Sequence, residues 1–346
     1  MLYIDTSENE DYFKDPIIPE SLPEYLQKDP QFAGEELLYF YHPMVPTVIL
    51  GHYQDIYHEV NFPYLKQQHI SVVRRNSGGG AVFVDPGDLT YVYIDTAQKV
   101  KTPKFSHYIH PILQALRSLG IDAQETGRND LTYQGKKFSG MSFSQIGDRV
   151  LYGGTLMFNV NTTVASQVLT PSKSKLADKG IKSVHSRVTN LKPFINQPNF
   201  TISDLWKTVL AAEQRANPEM QTIHLTKDDW QKIKQLGVQK FGTHRWIYGS
   251  GLNDYYIDSY FHGIGSLGIG FNVRHQHLAD VKLYGDLMLM GQEGANQLQA
   301  QLDGTAIDLK QIQRTLERQQ LDQQLVTGAS RQIAVKIMKA VADHEN

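Results

Sequence analysis

The sequence predicts an α+β fold, in which a mixed or antiparallel sheet is covered by helices and followed by a small α+β unit. Three observations carry this expectation. Short aromatic or β-branched runs follow one another through turn residues, and do not alternate strictly with helices as they would in a doubly wound parallel sheet. One stretch, Phe105 to Leu119, has the spacing of an amphipathic helix that could cover such a sheet. The chain of 346 residues exceeds what one core usually supports, and its composition shifts near Arg245-Trp246-Ile247-Tyr248-Gly249-Ser250-Gly251. The expected domains are therefore 1–245 and 246–346.

Taken in order, the acidic, proline-bearing segment from Asp5 to Pro23 reads as loop with a short helix near Leu22 to Gln27, ending in a turn at Asp29-Pro30. Leu37 to Tyr41 and Thr47 to Gly51 read as a pair of strands separated by His42-Pro43-Met44-Val45-Pro46. A helix from Phe62 to Gln68 leads into a strand at Ile70 to Arg74. Ala81 to Val84, the Pro86-Gly87 turn and Leu89 to Asp95 continue as a meander. The helix from Phe105 carries Ile109, Ile112, Leu113, Leu116 and Leu119 at helical spacing and stops at Gly120.

Leu131-Thr132-Tyr133 and Lys137 to Ser144 flank a polar turn, and Val150 to Asn159 continues as a strand. Helices are expected at Thr162 to Val168 and Ile202 to Arg215, the second capped by Thr201 or Ser203. Between them lies a long cationic loop with Lys173, Lys175, Lys179 and Lys182, a length that in compact domains is commonly functional or disordered. Beyond the linker, Leu267 to Val273 and Ala279 to Tyr284 read as strands and Asp308 to His344 as a polar helical tail.

A formal net charge of −2 provides no basic footprint for nucleic acid. The absence of cysteine removes disulfides, thiolate metal sites and a thiol nucleophile. No signal peptide or apolar span is apparent, so a cytoplasmic protein without a membrane partner is expected, in monomeric form. His275-Gln276-His277 lacks a third ligand at a metal-binding spacing, and no Gly-x-Ser-x-Gly elbow occurs.

The stretch Arg74-Arg75-Asn76-Ser77-Gly78-Gly79-Gly80-Ala81-Val82-Phe83 joins cations to three consecutive glycines. Such glycines mark a tight bend or a close approach to the backbone, and the arginines suggest that an anion approaches. A flexible hairpin with solvated arginines is the alternative. Neither a Walker A loop nor a G-x-G-x-x-G order is present. Lys137, after the turn at Gln134-Gly135-Lys136, reads either as a directed cation or as an exposed hairpin lysine. Asn129-Asp130 offers an amide and a carboxylate, or simply a turn.

Together, the Arg74–Phe83 stretch, Gly127-Arg128-Asn129-Asp130, Lys137-Phe138-Ser139-Gly140 and Ser183-Val184-His185-Ser186-Arg187-Val188-Thr189-Asn190-Leu191 resemble the lipoate-protein ligases, with four motifs in the family's order. The resemblance implies a biotin/lipoate ligase-like catalytic domain of mixed sheets flanked by helices, and an accessory C-terminal domain. It implies that lipoate and ATP form lipoyl-AMP, and that a lysine of a lipoyl domain, on an E2 subunit of a 2-oxoacid dehydrogenase or on glycine cleavage H protein, then takes the lipoyl group. Carried over by motif, Arg75, Ser77, Gly78, Gly79 and the segment Gly80-Ala81-Val82-Phe83 contact the nucleotide. Lys137 is the catalytic cation bridging lipoyl carbonyl and phosphate. Asn129 and Asp130 hold adenine or the Mg2+-phosphate region, with Asp130 as the metal ligand, and Gly154-Thr155 completes the site.

Adenylation needs a cationic, desolvated place for a carboxylate and an α-phosphate, and these residue types supply it. An apolar tunnel for the dithiolane tail is expected from Val48, Leu50, Val73, Val82 and Leu156. The chain departs from the family at Val84 and Gly153, where some ligases carry histidine, and at His52, where arginine is common. An octanoyl or lipoyl transferase on the same fold is the rival, but such enzymes form a thioester on cysteine, which this chain lacks. A non-catalytic lipoate-binding protein is the other alternative, and a biotin ligase is disfavoured by the missing Gly-Arg-Gly-Arg motif.

Overall fold

A computed structural model describes the chain apart from residues 97–104, 128, 171–187, 250–252, 262–263, 286–290 and 345–346. Among the described residues, ten strands precede residue 160: β1 (Leu2–Ile4), β2 (Leu37–Tyr41), β3 (Thr47–Leu50), β4 (Ser71–Arg74), β5 (Val82–Val84), β6 (Asp88–Thr96), β7 (Gln124–Thr126), β8 (Asp130–Tyr133), β9 (Lys136–Ile146) and β10 (Arg149–Met157). Four follow: β11 (Gln221–Ile223), β12 (Tyr255–Phe261), β13 (Gly265–Arg274) and β14 (His277–Gly285).

Eight of these strands form one mixed sheet in the order β11-β1-β2-β6-β10-β9-β8-β7. Strand β1 runs parallel to β2 and β11, and the remaining pairs are antiparallel. The apolar run Leu37-Leu38-Tyr39-Phe40-Tyr41 is buried along its whole length because both faces of the sheet are covered. Leu38 and Phe40 point to one core, and Leu37, Tyr39 and Tyr41 to the other, the period-two alternation of a strand.

The first core lies under the helices Phe105–Ser118 and Ile202–Ala216. Ile112 and Leu116 there are fully buried, each worth about 1.5–3 kcal/mol relative to exposure. The second lies under the helices Ile18–Lys28 and Lys227–Leu236. Thr201 caps the Ile202 helix through a reciprocal box with Asp204, so the cap is Thr201 and not Ser203.

Several expectations change. The N-terminal segment is more ordered than its prolines suggest: β1 joins the sheet, a 3-10 turn spans Ser7–Lys14, and the helix begins at Ile18 instead of Leu22. Pro19 stands in its first turn, where a missing N–H costs nothing. Strands β2 and β3 do not pair with each other, because the His42–Pro46 connector with its two prolines carries the chain from the large sheet to a separate three-stranded one. That sheet has the order β4-β3-β5, with β4 parallel and β5 antiparallel to β3. The expected meander is therefore absent, and the glycine stretch instead crosses from one edge strand to the other.

The C-terminal unit is an antiparallel β12-β13-β14 sheet packed on the helices Gly291–Leu302, Leu309–Arg318, Leu321–Gln324 and Ala329–His344. The single helical tail is thus broken into three, and β12 precedes the two strands read from the sequence. His275 and Gln276 form the positive-φ turn of the β13–β14 hairpin. The core of this unit draws on residues from Ile257 to Val341, with Tyr53 packed against it from the first unit. The boundary expected at 245/246 falls inside the helix His244–Tyr248, whose Trp246 and Ile247 pack with β3 and β5.

Candidate functional site

A cavity of about 250 Å³ opens between the Ile18–Lys28 helix and the second face of the large sheet. The sequence builds it by leaving small residues where that face would otherwise be filled. Gly140, Ser142 and Ser144 alternate along β9, and Gly153 and Thr155 along β10. The register sets Gly153 opposite Ser142 on one side and Val92 on the other, with Thr155 opposite Thr90. Pro19, Glu20, Pro23 and Gln27 of the helix form the roof, and Tyr41, Ile49, Val82, Val92 and Leu151 supply apolar wall.

The glycine loop closes one end. Ser77, Gly79, Gly80, Ala81 and Val82 line the cavity, while Gly78 and Phe83 stand behind it, Phe83 packed with Val48 and Leu50. Gly79 has φ +96°, and its carbonyl comes so near Gly51 that a Cβ there would stand 2.0 Å away. The two arginines have different duties. Arg74 is buried and donates to the carbonyls of Gly51, His52, Gln54, Trp246 and Ile247. It ties the turn after β3 to the His244–Tyr248 helix and is structural.

Arg75 lines the cavity and donates to Ser77 Oγ and to the carbonyls of Ile49, Gly78 and Gly80, at 2.8–3.2 Å. Burial pulls its guanidinium down to about 10, and Glu20 opposes that, so it stays charged at neutral pH. It thereby shapes the loop and brings positive charge to it. Burial pushes the Glu20 carboxyl up to about 7, with Arg75 opposing the rise.

Lys137 stands at the opposite wall. A bulge between Leu131 and Thr132 shifts the β8–β9 register, so Asp130 faces Gly140 while Thr132 faces Lys137. Bulges of this kind re-aim a side chain. Lys137 Nζ lies 2.6 Å from Asp130 Oδ1, both half-buried. Its chain also passes over Gly140, where a Cβ would stand 2.6 Å from Nζ and 2.9 Å from Cε. The Asn129 amide donates to the Met141 carbonyl at 2.6 Å, and Met141 N–H donates to the Asn129 carbonyl at 2.8 Å, so Asn129 extends the hairpin beside the cavity it lines.

The fold thus brings together Arg75, Ser77, Gly79 to Val82, Asn129, Asp130, Lys137, Gly154 and Thr155, which are far apart in the chain. Arg128, the lysines of the 171–187 loop and the motif residues 183–187 lie outside the described residues. Of the residues expected to form the tail tunnel, only Val82 lines the cavity. Val48 and Leu50 point away because Ile49, between them on β3, takes the inward position. Leu156 likewise faces the first core, and Val73 packs with Ile49 and Val84.

Glu20, Tyr41, Thr90, Ser142, Ser144 and Leu151 were not singled out from the sequence. The alternating small residues of β9 and β10 were the available signal for Ser142 and Ser144. Among the described residues, no group of three or more His, Cys, Asp or Glu side chains could hold a metal ion on its own.

Residues 15–213 match the Lipoyl protein ligase A/B catalytic domain, and residues 253–336 match the Bacterial lipoate protein ligase C-terminus. Lipoate-protein ligase 1 of Staphylococcus aureus is 32% identical over 307 residues, which are 89% of this chain and 92% of that protein. Lipoate-protein ligase LplJ of Bacillus subtilis is 32% identical over 295 residues, 84% of this chain and 86% of that one. P. falciparum LipL1, solved in complex with lipoate, superposes with a TM-score of 0.71 at 21% identity, over 96% of this chain and 99% of that one. A lipoate-protein ligase A solved with ATP superposes with a TM-score of 0.57 at 21% identity, over 68% and 94%. At that identity the two structures speak for the fold.

Proposed function

From the premise that the chain belongs to the lipoate-protein ligase family, we propose that it activates lipoate with ATP as lipoyl-AMP and transfers the lipoyl group to a lysine of a lipoyl domain. The observation that carries the adenylation step is that one cavity holds Arg75, within the glycine loop, and Lys137, on the opposite wall beside the Asp130 carboxylate.

Attack of a lipoate carboxylate oxygen on the α-phosphorus forms the acyl–phosphate bond and expels pyrophosphate. Lys137 holds the carboxylate and an α-phosphate oxygen together, cancelling their repulsion and the charge that builds during attack. A compact ammonium suits two converging oxygens of different groups. In the second step the amine of the acceptor lysine attacks the lipoyl carbonyl carbon, the C–O bond to AMP breaks, and the amine loses its proton.

The loop of Ser77 to Val82 receives the nucleotide, with Arg75 shaping it, and Asn129 with Asp130 holds the adenine or phosphate end. Mg2+ keeps several waters and binds one or two carboxylates together with substrate phosphates, so the carboxylate of Asp130 fits an ion carried in on the triphosphate. The apolar wall of Tyr41, Ile49, Val82, Val92 and Leu151 takes the dithiolane tail. The acceptors are lipoyl domains of E2 subunits or glycine cleavage H protein, and the protein acts as a cytoplasmic monomer. No described helix is long and apolar enough to cross a membrane. The catalytic domain extends through the His244–Tyr248 helix, and the C-terminal domain begins after it.

Pyrophosphate release with lipoate, octanoate and biotin side by side tests the reading. Release with lipoate supports it, and lipoate binding without release from any acid contradicts it.

A further inference from the structure

Behind the glycine loop, Lys240, Asn76 and Glu24 close a triangle of polar contacts. Lys240 Nζ donates to Glu24 Oε2 at 2.5 Å and to Asn76 Oδ1 at 2.9 Å, and Asn76 Nδ2 donates to the same Glu24 oxygen at 2.6 Å. Glu24 is on the roof helix and its side chain is 2% exposed. Asn76 sits between Arg75 and Ser77 and lines the cavity. Lys240 comes from the π-helical turn Gly237–Phe241, an irregularity that is frequent at functional sites.

A buried carboxylate hydrogen-bonded to Asn76, the residue before a loop that receives an anion, would repel that anion. Burial itself pushes Glu24 up, but hydrogen bonds from Lys240, Lys28 and Asn76 outweigh it and hold the carboxyl below its ordinary value, so it is ionised. Lys28 meets the other oxygen from a position 56% exposed, where solvent weakens its effect. Lys240 meets the oxygen that faces Asn76. Its ammonium also stands 4.3 Å from the Trp246 ring centre and 4.9 Å from that of Phe241. Trp246 Nε1 in turn donates to the Arg74 carbonyl at 2.8 Å. One cation thus joins the roof helix, the glycine loop and the segment that leads into the C-terminal unit.

We propose that Lys240 is a positioning residue of the nucleotide site: it neutralises Glu24 and holds the Asn76 carboxamide, keeping the glycine loop in the shape that admits an anion. The proposal rests on the reading that this loop receives ATP. It assigns a role in ATP affinity to a residue that need not touch ATP.

The test is calorimetric titration of the full chain with Mg-ATP and, separately, with lipoate. Lys240→Met should weaken ATP by about tenfold or more, the scale of a lost charge-assisted contact, and leave lipoate affinity within about twofold. Lys240→Arg should recover part of the loss. Glu24→Gln combined with Lys240→Met should recover most of it, because the uncompensated charge is then gone. Unchanged ATP affinity in Lys240→Met overturns the proposal, as does an equal loss for ATP and lipoate accompanied by a lower Tm. Failure of the double variant to recover ATP affinity overturns the neutralising role. A wild-type chain that binds lipoate but no ATP overturns both this proposal and the adenylation reading, whereas ATP binding unaffected by Lys240→Met overturns this one alone.

Discussion

Lys137 Nζ stands 2.6 Å from the Asp130 carboxylate, and its chain occupies the space that a side chain at residue 140 would take. The ammonium is therefore held by a salt bridge on one side and by an absence of atoms on the other. The first follows the bulge that offsets β8 from β9, and the second the glycine at 140.

Replacing Lys137 with alanine should abolish most adenylate formation, by about 10²–10³-fold or more, the cost of removing one preorganised charge donor. Its side chain is half-buried in a hairpin and contributes little core, so Tm should move by only a few degrees. Pyrophosphate release and thermal unfolding of one preparation check both halves.

Gly140→Ala tests the positioning of that lysine without removing it. The new methyl group meets the far end of a flexible side chain, which swings away instead of breaking the strand. Activity should fall by about tenfold to a hundredfold, as expected for misplacing a catalytic group by about 1 Å. The Tm should be nearly unchanged, and a fall in stability as large as the fall in rate would contradict this.

Arg74 and Arg75 are adjacent in sequence but should separate in experiment. Arg74→Met takes the guanidinium away from five carbonyls, and a loss of about 3 kcal/mol or more is expected in urea unfolding. Arg75→Met should weaken ATP binding with a smaller loss of stability, since all its bonds but the one to the Ile49 carbonyl lie within the loop at the cavity.

Glu20 introduces a pH dependence. Its carboxyl titrates near pH 7 in the folded chain and near 4.5 when unfolded, because burial disfavours the charged form and Arg75 only partly compensates. The folded state thus binds more protons between these values, and stability falls as pH rises from about 4.5 through 7. Glu20→Gln should remove this loss, stabilising the protein by roughly 2–3 kcal/mol at pH 8 and hardly at all at pH 4. Parallel melts at the two pH values decide it, and equal effects at both would contradict the assignment.

Much of the fold was legible because the strands and helices obey local rules. The Phe105 helix has its apolar stripe, Leu37–Tyr41 its unbroken apolar run, and the hairpin around Gln134-Gly135 its turn residues. What local pattern could not provide was partnership. Strands β2 and β3 are neighbours in sequence yet belong to different sheets, and nothing in either strand states this. The site was legible to the extent that its chemistry is written in residue types, as with Lys137 and the glycines. The apolar wall of the cavity was not, because Ile49 and not Val48 or Leu50 faces the cavity, and that choice is made by the register of β3 against β4 and β5. The structural duty of Arg74 was not legible either, since the carbonyls it holds come from residues up to 173 positions away.

The most direct test of the account is the mass of an apo lipoyl domain after incubation with the chain, lipoate and Mg-ATP. The account predicts a gain of one lipoyl group on a single lysine, dependent on ATP and lost in Lys137→Ala. An unchanged acceptor mass with wild-type protein that is folded and binds lipoate would contradict it, as would transfer that proceeds without ATP.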